Sequence, residues 1–282
     1  MSRAVFILTF GRPNKVATYR TLRKLNYTGK IFLICSDDDK ELGEYKKRFG
    51  EEVIVFNKEQ ARLETDTDRM DNLQKTNMVL YARNYCFKIA EKLGLDNFLV
   101  LDDDYNEFRG ADFIREWKHA GYCHELDTIF DACFDFYNSV PSLLGFSLSQ
   151  TGDFIGGVTP DKQRVKRKCM NSFFCKTDRP YKFLGAINED TNFYVSNWAN
   201  TRGWCAQLHN FSLNQLDTQK NSGGLTDIYL DIGTYCKSFY SVMLQPVAVK
   251  VAPMGDNHIR LHHKVAYNKI CPKIIRQEHK KR

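Results

Sequence analysis

The chain has 282 residues, of which 43% are hydrophobic and 27% charged, and its formal net charge is +7. These values fit a soluble globular protein with a sizeable core. They exclude a chain built around membrane-spanning helices, because no apolar run approaches the roughly 20 residues that a span needs.

The start, "MSRAVFILTFGRPN", has one Arg, a short apolar run and no small-residue cleavage site. It reads as a first β-strand and not as a signal peptide, so a cytoplasmic protein is expected. Strand "AVFILTF" (4–10) stops at Gly11-Arg12-Pro13. "NKVATYRTLRKL" (14–25) predicts a helix, with Val16, Tyr19, Leu22 and Leu25 on one face. "KIFLICSDDD" (30–39) predicts a strand ending in acids, "DKELGEYKKRFG" (39–50) a helix closing on Gly50, and "EVIVFN" (52–57) a third strand. Continuous apolar strands alternating with helices predict an α/β fold whose parallel sheet is covered on both faces.

Residues 58–69 show no clear period, and a long helix follows from about Met70 to Leu93, with Gly94 as its stop. "NFLVLDD" is the fourth strand, 105–121 is mixed and aromatic, and 125–140 predicts a helix. Strands are expected at 142–150, 167–177, 204–213 and 246–253, and helices at 188–203 and 226–244. Without repeats, low-complexity stretches or a linker, the whole of 1–282 reads as one domain with a basic tail from about residue 270.

Nine cysteines, an odd number with no CxxC pair, argue against a disulfide framework or structural zinc site and for reduced core thiols. Basic residues concentrate in "DKQRVKRKC" (161–169) and from Lys273 to Arg282. Such a surface suits a polyanionic partner; a solvated loop and frayed tail explain it as well.

The chemistry-bearing stretch is "NFLVLDDDYNEF" (97–108), where an apolar run ends in three carboxylates. In an open α/β sheet, ligands collect beyond the carboxyl ends of the strands. Alternate residues of an extended segment project to one side, so Asp102 and Asp104 can converge while Asp103 points away. Two hard oxygen ligands favour Mg²⁺ or Mn²⁺, and such a cation holds a diphosphate. The plainer reading is a solvated, helix-capping turn. Glu189 and Asp190 open a predicted helix, as caps or as catalytic carboxylates. In "GDNHIRLHHKV" (255–265), His258, His262 and His263 can complete a metal shell or furnish a basic surface.

Weaker candidates surround these. Thr9, Phe10, Gly11 and Arg12 can cradle a nucleotide, Ser36 and Asp37 can read a base or ribose, Arg83 can reach a phosphate and Asn84 can bond the nucleotide. Ordinary turns and caps explain each equally well. "DFIGG" (153–157) and "NSGG" (221–224) supply open backbone for loops that close over a ligand.

Strand–helix alternation, "LDDDY", a later "NED" and a late "NHIRLHH" together resemble GT-A fold nucleotide-sugar glycosyltransferases. More narrowly, "LYARN" before "FLVLDDDY", then "DFIGG", "INEDTNFY", "TQKNSGGLT" and the His-rich end are similar to the TET-associated glycosyltransferases of bacteriophages. The motif order runs from Thr9 to about His263. The resemblance implies a Rossmann-like GT-A fold with a mostly parallel sheet, and transfer of a sugar, from UDP-sugar above other donors, to hydroxymethylated pyrimidines in phage DNA. It implies that Asp102 and Asp104 hold Mn²⁺ or Mg²⁺ with His262. Asp103 can replace Asp102, and His258 or His263 can replace His262. Thr9 to Arg12, Ser36, Asp37, Arg83, Asn84, Asp102 and Asp103 then face the donor, and Asp190 or Glu189 serves the acceptor hydroxyl. Gly156, Gly157, Arg164, Lys166, Arg167, Gly223 and Gly224 are expected on the acceptor side, with the basic loop and tail tracking DNA phosphates and Tyr105, Phe108 or Phe154 as bases' stacking partners. A transferase for polysaccharide or protein, a nucleotidyltransferase and a catalytically silent binding domain remain alternatives.

Overall fold

The computed structural model describes residues 1–65, 79–111, 120–122, 125–150, 168–201, 203–215, 226–255 and 259–270. In chain order the elements are β1 (Arg3–Leu8), α1 (Ala17–Lys24), β2 (Lys30–Ser36), α2 (Leu42–Phe49), β3 (Val53–Phe56), α3 (Lys58–Leu63), α4 (Val79–Lys92), β4 (Asn97–Asp102), β5 (Tyr105–Ala111) and β6 (Ala120–Tyr122). They continue with α5 (Leu126–Ser139), β7 (Leu143–Gln150), β8 (Ser172–Lys176), α6 (Glu189–Thr201), β9 (Trp204–Gln215), α7 (Thr226–Leu244), β10 (Val249–Met254), β11 (Arg260–Val265) and α8 (Tyr267–Ile270).

Among the described residues nine strands form one sheet in the order β3-β2-β1-β4-β8-β7-β9-β5-β6. The strands β3, β2, β1 and β4 run parallel, as their unbroken apolar runs require of strands buried on both faces. Beyond β4 the sheet is mixed: β8 is antiparallel to β4 and β7, β7 and β9 are parallel, and β5 is antiparallel to β9 and β6. Strands β10 and β11 make a separate antiparallel hairpin.

Side-chain alternation along the central strands splits the core in two. Phe6, Phe98 and Val100 face one side with α4 and α6, where Leu80, Cys86 and Phe193 are buried. Val5, Ile7, Leu99 and Leu101 face the other with α1, α2 and α5, where Leu22, Tyr45 and Phe130 are buried. The helices on both faces are therefore explained by strand parity alone.

The structure departs from sequence expectation where elements are short or polar. Residues 58–63 form α3, whose start is capped by Asn57: its Oδ1 accepts from Gln60 N at 2.7 Å. The aromatic stretch after Asp104 contains β5, bent by a register shift between Tyr105 and Glu107 that blurs its period-2 pattern. The helix expected at 14–25 divides into a single 3₁₀ turn at Pro13–Lys15 and α1, because Val16 is held at ψ 79° outside the helical range. Gly94, at φ +64°, ends α4. The expected start of that helix near Met70 lies outside the described residues. So do Phe154, Gly156, Gly157, Arg164, Lys166, Arg167, Gly223, Gly224, His258 and the tail beyond residue 270.

Candidate active site

The carboxyl end of β4 inherits the parity of the core. Asp102 continues the row of Phe98 and Val100 and projects to the α4 side, where Arg83 Nη2 donates to its two oxygens at 3.0 and 3.2 Å. Asp103 continues the row of Leu99 and Leu101 and projects to the opposite side, where Arg12 Nε lies 2.9 Å from its Oδ2. The Thr9 hydroxyl donates to the same oxygen at 2.6 Å. Two adjacent like charges are thus separated by the sheet and each is met by its own guanidinium.

Arg83 is only 4% exposed. Its Nη1 also donates to Glu189 Oε1, and its plane lies over the rings of Phe173 and Phe183, 4.9 and 5.7 Å from their centroids. Burial works against its charge, but Asp102, Glu189 and Asp190 more than offset that and hold its pKa above the usual value. Asp104, next in the chain to Tyr105, is buried as well. The buried hydroxyl of Tyr105, donating to Asn171 O at 2.5 Å, has its pKa raised first by burial and then by Asp102 and Asp104, with Arg83 opposing.

Glu189 and Asp190 begin α6. Burial raises the Glu189 pKa to about 7, with Arg83 opposing and Asp190 adding to the rise. Asp190 is raised as well, by burial, against Arg83. Its Oδ1 accepts from Thr191 N at 2.6 Å. Glu189 is buried, whereas Asp190 keeps partial exposure, so of the two Asp190 is the more accessible to a second substrate.

The loop before α6 is held from several sides. Asn84, next to Arg83, accepts from Phe183 N at 2.8 Å through Oδ1 and donates to Phe183 O at 3.1 Å through Nδ2. Both ends of its amide are therefore engaged in clamping the loop onto α4. Asn192 Nδ2 donates to Leu184 O and Ile187 O at 3.0 and 2.8 Å.

On the other side of the sheet, the loop after β1 is set by residues that the sequence did not single out. Tyr45 OH lies 2.7 Å from Thr9 Oγ1 and accepts from Arg12 N at 3.0 Å. Asp39 Oδ2 accepts from Gly11 N at 2.8 Å, and its Oδ1 accepts from Glu41 N at 2.9 Å. Gly11 adopts φ +69°, a conformation that favours glycine. Asp37 caps α3, accepting from Lys58 N at 3.0 Å and Asn57 Nδ2 at 2.8 Å, while the Ser36 hydroxyl donates to Asp38 at 2.5 Å. Lys58 lies over the half-buried Phe10 ring at 5.8 Å. The signal for Asp39 was present as the third acid of "SDDD"; for Tyr45 there was none, since a helical tyrosine reads as core.

Strand β11 carries His262 and His263 with their rings side by side, the centroids 4.2 Å apart. His263 Nε2 lies 3.3 Å from Thr191 Oγ1 at the start of α6, and burial, with His262 and Lys237 adding to it, depresses its pKa to about 4. His262 Nδ1 donates to the carbonyl of His263 at 2.8 Å, which leaves its lone pair on Nε2. Lys237 on α7 stands near Asp190 and Glu189, its pKa lowered first by burial.

Among the described residues no three His, Cys, Asp or Glu side chains are gathered into a metal cage. The donor chemistry still fits a hard dication: the Asp102 side chain keeps 23% exposure, and Asp104, two residues on, offers a second carboxylate. Mg²⁺ is typically held by one or two carboxylates together with substrate phosphates, and not by an all-protein shell.

Asp102 stands at the carboxyl end of β4, in the parallel half of the sheet, the end at which α/β proteins commonly bind their ligands. The chain belongs to the TET-associated glycosyltransferase family, which matches residues 3–224, and it is a glycosyltransferase. No curated protein matches the sequence. Solved structures with a similar fold include glucosyl-3-phosphoglycerate synthase from Mycobacterium tuberculosis, in complex with Mg²⁺ and uridine diphosphate, at 9% identity and a TM-score of 0.49 over 94% of this chain and 87% of that one. S. aureus TarS gives 13% identity and a TM-score of 0.45 over 78% and 37% of the two chains. CMP:2-keto-3-deoxy-manno-octonic acid synthetase gives 9% and 0.38 over 82% and 97%. Among the described residues no helix is long and apolar enough to cross a membrane.

Proposed function

We propose that the protein transfers a sugar from a nucleotide-sugar donor, UDP-sugar first among them, to the hydroxymethyl group of a modified pyrimidine in DNA, with Mn²⁺ or Mg²⁺ as cofactor. The observation that supports this reading is that buried Arg83 joins Asp102, at the carboxyl end of β4, to Glu189, which opens α6 beside Asp190. The family, by its description, supplies the glycosyl transfer.

In this reading Asp102 and Asp104 would hold the cation, with His262 as the third protein ligand. A dication there offsets the charge that builds on the leaving diphosphate. The loop Thr9–Arg12, fixed by Tyr45 and Asp39, and the Phe10 ring face the donor nucleotide. The acceptor oxygen bonds to the anomeric carbon as the bond from that carbon to the phosphate oxygen breaks. The electron pair leaves with the nucleoside diphosphate, and the hydroxyl proton passes to Asp190. A carboxylate whose pKa is raised by burial is a better base than an exposed one. Glu189, tied to Arg83, fixes the start of α6. The base must leave the stack to reach a site at this depth, and the basic residues of 161–169 and the tail supply phosphate contacts.

The test is mass spectrometry of nucleosides after incubating hydroxymethylpyrimidine-containing DNA with a panel of nucleotide sugars and Mn²⁺. A hexose-sized mass gain on the modified base, lost in excess chelator and in Asp104→Ala, is expected. Transfer to polysaccharide or protein alone, or turnover of nucleoside triphosphates alone, overturns the acceptor or the donor class respectively. Binding to duplex DNA should weaken steeply with salt, as counterion release demands.

A further inference from the structure

We propose that α7, which lies beyond the family-matched residues 3–224, sets the reactive geometry of the carboxylates at the start of α6, with Tyr240 and Asn188 as positioning residues. This rests on the reading of Glu189 and Asp190 as the acceptor-side carboxylates.

Residues 185–188 lead directly into Glu189, and α7 grips them from one face. Tyr240 OH accepts from Ala186 N at 2.9 Å. Asn188 Nδ2 donates to Lys237 O at 2.6 Å and to Ser241 Oγ at 3.3 Å. Lys237, Tyr240 and Ser241 are spaced i, i+3, i+4, so they share one helical face. The grip is closely fitted. Gly185 sits at φ +77°, and a Cβ built there would come within 2.7 Å of Tyr240 Cε1 and 2.8 Å of Asn192 Nδ2. Asn188 itself adopts φ +54°, a left-handed position in which its amide spans the gap to the α7 backbone. Ala186 and Asn188 are buried, as is Tyr240 at 5% exposure.

Such a fit is more than packing needs. A hydrophobic contact would hold α7 against the loop in several nearby registers; three directional hydrogen bonds and a glycine with no room for a methyl group select one. The loop has no other route into α6, so its register fixes where the Asp190 carboxylate stands relative to Asp102. Misplacement of a reacting group by about 1 Å can cost on the order of 100-fold in rate.

The experiment uses the full chain and the donor selected by the nucleotide-sugar panel, with Tyr240→Phe, Asn188→Gly, Asp190→Asn and Glu189→Gln as variants. UDP affinity in Mn²⁺, donor KM, kcat and thermal unfolding are measured on each. Tyr240→Phe keeps the ring and removes the acceptor for Ala186 N; Asn188→Gly keeps the left-handed backbone and removes the amide. Both are expected to stay folded with UDP affinity and donor KM unchanged within about twofold and kcat lower by roughly 10- to 100-fold. Met243→Ala, on the exposed side of α7, should match the parent. Should Tyr240→Phe and Asn188→Gly lose stability yet keep full kcat per folded molecule, while Asp190→Asn or Glu189→Gln is inactive, the positioning role is overturned and the carboxylate reading stands. Should the two carboxylate variants keep full transfer, that reading fails and the positioning role goes with it.

Discussion

Arg83 is shared between Asp102, at the end of β4, and Glu189, at the start of α6, and is almost wholly buried while it does so. It ties together two chain segments more than 80 residues apart. Removing one partner of a buried ion pair leaves the other uncompensated, at a cost of about 3–5 kcal/mol. Arg83→Met is therefore expected to lose that much in urea denaturation, with Arg83→Lys recovering only part because its ammonium cannot fork to two carboxylates. Unchanged stability with a raised donor KM would instead make Arg83 a donor contact.

Asp102 and Asp103, adjacent in sequence, should answer differently to substitution. Asp103 is 1% exposed and pairs with Arg12 and Thr9. Asp103→Asn should cost about 1–3 kcal/mol of stability and leave the Mn²⁺ concentration for half-maximal activity in place. Asp102→Asn should raise that concentration. A cation titration of the two variants, each compared at a temperature where it is folded, separates them.

Glu189 predicts a pH dependence with a definite sign. Its folded pKa of about 7 lies above the 4.5 of an unperturbed glutamate, burial being the main cause. Between these values the folded state holds the extra proton, so this group's contribution to stability falls as pH rises from about 4.5 to about 7. Glu189→Gln cannot ionise and escapes that loss. The melting temperature of the variant minus that of the parent should therefore increase between pH 5 and pH 8, even as transfer activity is lost. A difference that decreases over the same range would mean that the ionised carboxylate is the favoured buried form.

Asn84→Ala should act through the loop and not through the donor. It leaves Phe183 N and O without their partner, which costs about 1–3 kcal/mol when such groups are buried. The expected result is a lower unfolding midpoint with UDP affinity intact, read by titration calorimetry in Mn²⁺. Weakened UDP binding with unchanged stability would restore Asn84 to the donor pocket.

Much of this arrangement was legible in the sequence. The parallel strands showed as unbroken apolar runs, Gly94 showed as a helix stop, and the carboxylates stood out because charge seldom follows such a run without reason. What stayed hidden depends on contacts between distant segments. Nothing local in "LYARN" says that Arg83 will meet Glu189, or that the amide of Asn84 will be taken up by Phe183. Tyr45 and Tyr240 read as core residues because only their hydroxyls, at the ends of buried rings, carry the role. Strand β5 escaped because its bulge breaks the alternation, and α3 because six residues are too few for a helical period to emerge.

The opposite orientation of Asp102 and Asp103 also makes the end of β4 sensitive to length as well as to chemistry. Deleting one residue within that strand would turn every later side chain through half a pleat and present the second acid to Arg83 and the first to neither guanidinium. The number of residues between Asn97 and Tyr105 is therefore as constrained as the two acids themselves, because a change in it turns each acid away from the guanidinium it now meets.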